Sequence, residues 1–274
     1  MRYELLVVDL DNTLLSGPTG VSEANREALA RAEQVGCRVI VCTGRGRFTT
    51  RPVVDELGPV SGPHILYNGG ATFPSLDADP DEVLLLPREA VERCLRLAAP
   101  LRLGVSGFED PRHGDLVYLA RAIDGLQRWA EMNRGRIAWV DSAEEVAAHD
   151  LVALLFWGDE NEIERLQEAL GEPAGLATPR LGTNQFLGTH LVELSATGGT
   201  KGEALARLAS RLGVPRSAII AVGDARPDIS MMQFAGLGVA VGNASEEVKA
   251  VADYLAPPVG EDAVAHVVER FIVA

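Results

Sequence analysis

Along the first seventy residues, apolar runs alternate with amphipathic stretches. Leu5 to Val8 is a continuous apolar run, the pattern of a strand buried on both faces of a parallel sheet, and it stops at two carboxylates, Asp9 and Asp11, spaced i, i+2. Ser22 caps a helix expected from about Glu23 to Val35, with Ala28, Leu29, Ala32 and Val35 on its apolar side and Gly36 as its stop. Arg38 to Cys42 reads as a second strand, ending at Thr43-Gly44-Arg45-Gly46. A short helix near Pro52 to Leu57 leads to a third strand, His64 to Tyr67, which ends at Asn68-Gly69-Gly70. Strands that each finish in a polar or glycine-rich turn have the rhythm of a doubly wound α/β sheet.

That rhythm returns at the other end of the chain. Lys201 to Leu212 is a helical pattern closed by Gly213, Ala218 to Val222 is a buried strand stopped by Gly223-Asp224, and Gly238 to Val241 is a further short strand. Helices are expected after Gly242-Asn243-Ala244 through about Ala252, and from about Asp262 to Phe271. The middle differs. Strands are expected at Leu84 to Leu86, Leu101 to Val105, Val117 to Leu119 and Leu151 to Trp157, with helices at Glu89 to Leu97, Ala122 to Asn133 and Asn161 to Leu170. The pattern predicts a discontinuous parallel-sheet core, residues 1–81 and 190–274, carrying an inserted α+β domain, residues 82–189. Pro74 to Asp81 and Gly182 to Thr189 are the expected linkers.

Composition narrows the class. The chain of 274 residues is 47% hydrophobic, enough for a substantial core, yet has no eighteen-residue uncharged apolar stretch and no basic leader before the first strand. A cytoplasmic protein with no membrane partner is expected. A formal net charge of -14 disfavours nucleic acid and anionic membranes, so an anionic ligand would need local help from a cation or helix N-termini. Cys37, Cys42 and Cys94 lack metal-ligand spacing and read as buried free thiols. The five histidines are scattered, which suggests neither a zinc site nor histidine catalysis.

On residues alone, Asp9 and Asp11 leave two readings open, a capped turn or a site for a hard cation such as Mg2+. Further elements at strand ends and helix starts bear on that choice: Asp9-x-Asp11-x-Thr13, Thr43-Gly44-Arg45, Asn68-Gly69, Lys201-Gly202, and Gly223-Asp224 with Asp228. With these in place the whole chain resembles the haloacid dehalogenase superfamily of phosphatases, and within it the Cof-type sugar-phosphatase branch with a C2 cap. Gly238 to Ala244, Val248-Lys249 and Ala252-Asp253-Tyr254 are similar to the tail of that branch. About thirty residues separate Asp11 from Thr43 and roughly 158 separate Thr43 from Lys201, so the insertion falls where a C2 cap does.

The resemblance implies a Mg2+-dependent phosphomonoester hydrolase acting on a small phosphorylated metabolite, in particular a sugar phosphate. Asp9 would be the nucleophile, forming an aspartyl-phosphate; Asp11 would be general acid and then base, its backbone carbonyl joining the metal shell. Asp224 would add a metal ligand, and Asp228 a ligand or its supporting partner. Thr43, the Gly44 N–H and Lys201 would hold the transferring phosphoryl group. Arg45 is open between substrate contact and pairing with a surface acid, and Asn68 between the pocket mouth and a turn. Two departures stand out: Asn12 replaces a usual glycine, and Pro227 stands where the family commonly has asparagine, which implies slower turnover or compensation by Arg226. A phosphomutase or phosphotransferase shares the first half-reaction, and a weakly active phosphosugar-binding protein shares the ligand. A monomer or weak homodimer is expected, with the Leu151 to Trp157 strand either in the inserted domain's own core or at a dimer face.

Overall fold

The computed structural model describes residues 3–273 except 18–19, 61, 121–122, 134, 172–179 and 185–188; for 124, 125, 128, 132 and 180–184 it describes the backbone alone. The first part of the chain forms β1 (Leu5–Val8), α1 (Glu23–Gln34), β2 (Arg38–Val41), α2 (Arg47–Leu57), β3 (His64–Leu66), β4 (Ala71–Phe73) and β5 (Glu82–Val83). Next come α3 (Arg88–Ala98), β6 (Gly104–Glu109), β7 (Val117–Ala120), α4 (Asp124–Met132), β8 (Ile137–Val140), α5 (Ala143–Val146), β9 (Leu151–Gly158), α6 (Glu160–Leu170), β10 (Arg180–Asn184) and β11 (Thr189–Ser195). The chain closes with α7 (Lys201–Leu212), β12 (Ile219–Gly223), α8 (Ile229–Phe234), β13 (Leu237–Ala240), α9 (Glu246–Lys249), β14 (Tyr254–Leu255) and α10 (Ala263–Val268). Two compact units result, Met1–Glu82 with Thr200–Ala274, and Val83–Gly199.

The first unit is built on a five-stranded sheet of order β14-β13-β12-β1-β2, all parallel. Consecutive residues of β1 are all buried, as a strand covered on both faces requires. Val8 stands in register with Val41 on one side and Val222 on the other, so three adjacent strands end at one level. Ser22 caps α1 by accepting from the Asn25 N–H at 3.1 Å, and Gly213 closes α7 in the left-handed conformation. Buried Asn25 accepts from the Ala265 N–H at 2.9 Å and ties α1 to α10.

Several expectations shift here. Among the described residues β3 meets the parallel sheet through a Cys42–Ile65 bridge, and it belongs instead to a three-stranded sheet with β4, its antiparallel partner, and β5. Val35 caps α1 and is exposed, and the helix near Pro52 begins earlier, at Arg47, with the proline inside it. α9 stops at Lys249, well short of Ala252.

In the second unit a six-stranded sheet has the order β10-β11-β9-β6-β7-β8. β9 is central, and its side chains alternate between two cores: Leu154 and Phe156 pack with Val91, Leu95 and Leu166, while Ala153, Leu155 and Trp157 pack with Leu119 and Leu126. The most apolar strand therefore fills the unit's own core. Leu84 to Leu86 is not a strand, because pairing stops at Val83 and Leu86 turns into the core. The expected Gly182 to Thr189 linker is also corrected: Gly182 to Asn184 lie in β10, Thr189 begins β11, and β11 pairs antiparallel with β9, which moves the unit's end to Gly199. Residues 185–188 of that span, and Ala122 at the start of the helix expected there, lie outside the described residues.

Candidate active site

The carboxyl ends of β1 and β12 bring the acidic residues together, and that of β2 adds Thr43, at the edge where open parallel sheets bind ligands. Asp9 follows β1, and its N–H donates to the Val222 carbonyl at 3.1 Å. Asp224 follows β12, and Asp228 lies four residues on at the start of α8. Oxygens of Asp9, Asp224 and Asp228 all lie within 4.8 Å of one another. Lys201, the first residue of α7, comes between them: its Nζ donates at 2.6 Å to Asp9 Oδ1 and at 2.6 Å to Asp228 Oδ1. All three groups of that bridge are buried.

Glycines make the approach possible. A Cβ on Gly223 would stand 2.4 Å from the Asp228 Cβ, so the end of β12 meets Asp228 only without a side chain, and one on Gly202 would stand 2.3 Å from the Ser230 carbonyl oxygen, so α7 meets α8 only without one there. Thr200 caps α7 in a reciprocal box with Glu203, which sets the first turn that aims Lys201 inward.

Asp228 accepts from Lys201 with Oδ1 and from the N–H groups of Asp224 and Ala225 with Oδ2, at 3.1 and 3.0 Å. It organises the cluster. Asp224 accepts from the Thr13 hydroxyl at 2.8 Å. Thr13 was legible only as part of the Asp-x-Asp-x-Thr spacing; its hold on a residue 211 positions away depends on β1 and β12 being neighbours.

Electrostatics follow from crowding. Burial, together with the charges of Asp228 and Asp224, pushes the Asp9 carboxyl well above the usual carboxylate range against the pull of Lys201. Burial and Asp228 push Asp224 up to about 6. Lys201 loses solvation by burial, but Asp228 and Asp9 outweigh that and hold it firmly protonated. Three carboxylates against one ammonium leave an excess of about two negative charges, and an all-oxygen donor set with that excess fits a hard divalent cation.

Asp11 is placed differently. Its carboxylate stands outside the three-acid group and is held by Arg45 through both oxygens, Nε to Oδ2 at 2.9 Å and Nη2 to Oδ1 at 2.5 Å. Arg45 thus pairs with an acid of the site itself. Thr43, buried after β2, accepts from the Arg45 N–H at 3.2 Å. Asn68 donates its N–H to the Thr43 carbonyl at 3.0 Å and sits at φ 54°, following Tyr67 at φ 52°, two successive left-handed residues without being glycine. A Cβ on Gly44 would come within 2.8 Å of Asn68 Nδ2. Asn68 is therefore a brace on the Thr43-Gly44-Arg45 turn.

One residue gains a role that the sequence did not disclose. Asn243 donates to the Asn12 carbonyl at 2.8 Å and accepts from the Val259 N–H at 2.8 Å, fastening the turn that carries Asp11. Asn12 adopts φ 59°, the conformation in which asparagine replaces glycine at least cost. Pro227 opens the short turn before α8, as proline can, but Arg226 points to Glu247 at 3.4 Å between two largely exposed side chains, away from the role of substitute.

Fold and site together define an α/β protein with an acidic, lysine-bridged cluster at the carboxyl edge of a parallel sheet. A profile of haloacid dehalogenase-like hydrolases matches residues 6–268, and the chain belongs to that family. Among curated relatives it is 27% identical over 271 residues to the 5-amino-6-(5-phospho-D-ribitylamino)uracil phosphatase YcsE of Bacillus subtilis, covering 98% of this chain and 96% of that one. A solved haloacid dehalogenase-like hydrolase from Bacteroides thetaiotaomicron is 29% identical with a TM-score of 0.82, over 98% of this chain and 99% of that one. A phosphatase of the same superfamily from that organism is 25% identical with a TM-score of 0.82, over 98% and 95% of the two chains.

Proposed function

We propose that this chain is a Mg2+-dependent phosphomonoesterase that works through an aspartyl-phosphate on Asp9. The observation that carries the reading is the cluster of Asp9, Asp224 and Asp228 bridged by Lys201 at the ends of the adjacent parallel strands β1 and β12. Asp9 and Asp224 are the chief candidates to hold the ion, with Asp228 behind them, since both Asp228 oxygens already accept from protein donors. When bound, the ion would keep the acids ionised together and offset the charge of the incoming phosphate.

An Asp9 carboxylate oxygen attacks phosphorus while the ester P–O bond breaks, and the leaving oxygen takes a proton from Asp11. Water then attacks the aspartyl-phosphate, gives its proton to Asp11 and releases inorganic phosphate, which frees Asp9. Lys201 counters charge on Asp9 and on the equatorial oxygens, and the Thr43-Gly44 turn supplies a hydroxyl and N–H donors to the same oxygens. The substrate class is a small phosphorylated metabolite such as a sugar phosphate. That is in keeping with the YcsE name, which carries a phosphate on a ribityl chain. Val83–Gly199 would act as the cap that supplies specificity.

The test is Asp9→Asn assayed with an aryl phosphate and Mg2+. Loss of at least about a thousandfold in kcat with the fold intact is expected, as for removal of a nucleophile. Undiminished metal-dependent phosphate release would remove Asp9 from the role.

A further inference from the structure

Arg45 is fixed at more points than a substrate-binding arm needs. Its N–H donates to Thr43 Oγ1 at 3.2 Å, its carbonyl accepts from the Tyr67 N–H at 3.1 Å, and Nη1 donates to the Thr49 carbonyl at 3.4 Å. The two remaining guanidinium arms both go to Asp11. The Arg45 side chain is 19% exposed whereas that of Asp11 is 53% exposed, so the arginine is seated and the carboxylate stands in the open. An open carboxylate turns about two side-chain torsions, yet a proton moves only when one oxygen lies within hydrogen-bond reach and in line.

A fork that meets both oxygens fixes the carboxylate plane, which a single ammonium cannot do. Each oxygen keeps a second lone pair for the proton in transit. A half-exposed ion pair adds little to stability, so orientation is what this one contributes. We infer that Arg45 is a positioning residue that acts through Asp11, holding its carboxylate in line with the leaving oxygen and then with the attacking water. The inference rests on the acid–base reading of Asp11 and deepens it.

The test uses Arg45→Ala and Arg45→Lys, alone and combined with Asp11→Asn, on an alkyl phosphate and on p-nitrophenyl phosphate, whose leaving group departs without protonation. General acid–base catalysis is worth about a hundredfold to ten-thousandfold, so loss of alignment is expected to lower kcat on the alkyl ester by about ten- to a hundredfold. KM should hold within about threefold, and Arg45→Lys should recover part of the loss. The pre-steady-state burst of nitrophenolate should change by less than about threefold, because that step does not call on Asp11 as acid. In the Asp11→Asn background, Arg45→Ala should cost nothing further.

Full additivity with Asp11→Asn, or equal losses on both substrates carried in KM, would make Arg45 a direct phosphate ligand and overturn the inference. No loss on either substrate would overturn it too. If Arg45→Ala fails to fold, Arg45→Lys is read by the same criteria. Failure of the parent reading looks different, since Asp11→Asn alone would then keep full kcat on the alkyl ester whatever Arg45 does.

Discussion

Lys201 shows how a single side chain decides the state of this site. Buried between Asp9 and Asp228, it is the one cation in direct contact with either among the described residues. Replacing it with methionine leaves two buried carboxylates without their partner, which costs about 3–5 kcal/mol when a buried pair is broken. Lys201→Met is therefore expected to lower the urea midpoint and to abolish turnover; a midpoint equal to that of the parent protein would show that the bridge contributes no stability. His64 carries a second residue-level prediction, on pH. Burial pulls its imidazole down to about 4, and Nδ1 accepts from the Val41 N–H at 3.3 Å, so the folded state requires it neutral. The unfolded chain takes up the proton near the ordinary value of 6.5, so the contribution is intact above that pH and is lost as pH falls from 6.5 to about 4, a loss on the order of 3 kcal/mol. His64→Asn keeps an acceptor without the titration. Denaturation midpoints from pH 7.5 to 4.5 should fall more steeply for the parent than for the variant, and parallel curves would refute the assignment.

At the scale of elements, the loop after β3 is the part under most constraint. Gly69 has φ 108°, and a Cβ there would lie 2.4 Å from the Thr200 carbonyl oxygen at the start of α7. Gly69→Ala combines a disfavoured conformation with a backbone clash, each worth about 1–3 kcal/mol, and the displaced residue is the neighbour of Lys201. Gly58→Ala has the conformation (φ 81°) but open space, so only the first cost applies. Gly69→Ala should lose the larger share of both melting temperature and kcat, and equal effects in the two variants would deny the close approach. The same contrast explains what the sequence could disclose. β1, α1, β2, α7 and β12 were legible because each carries its own signal: an apolar run on a sheet covered twice over, a serine or glycine at a helix end, acids at a strand's close. β8, Ile137-Ala138-Trp139-Val140 closed by Asp141, has an apolar run of the same kind, whereas β10 has none. β10 reads as polar and glycine-containing, since its place is set by antiparallel pairing with the neighbouring β11, and Leu84 to Leu86 is apolar because Leu86 enters a core of helix and strand residues, its N–H donating to the Leu151 carbonyl at 2.8 Å. The acidic residues and Lys201 were visible as residue types at strand ends and helix starts. That Lys201 bridges Asp9 and Asp228, or that Arg45 grips Asp11, is a matter of distance between segments and has no local signature.

For the whole molecule, an excess of -14 charges and a crowded acidic site act in the same direction, making the apo protein pay in stability for a centre that a cation would relieve. Asp224, raised from 3.8 to about 6 by burial and by Asp228, is charged in the folded state at neutral pH at a penalty on the order of 3 kcal/mol. The sign is the reverse of that for His64: without metal, the Asp224 contribution improves as pH falls through about 6, because the folded state binds the proton more tightly than the unfolded chain. A divalent ion that binds only the folded state adds RT ln(1 + [L]/Kd), about 2.7 kcal/mol at a hundred times Kd. Mg2+ should therefore raise the melting temperature at pH 7.5, by less at pH 5.5 where protons compete for the same oxygens. Asp224→Asn separates the two effects within one protein. It removes the half-buried charge, so the variant without metal should match or exceed the parent's melting temperature at pH 7.5, while its response to Mg2+ should shrink to that of a non-specific salt. A full Mg2+ response in Asp224→Asn would place the ion elsewhere, and a variant less stable than the parent without metal would mean that the Thr13 hydrogen bond outweighs the repulsion from Asp228.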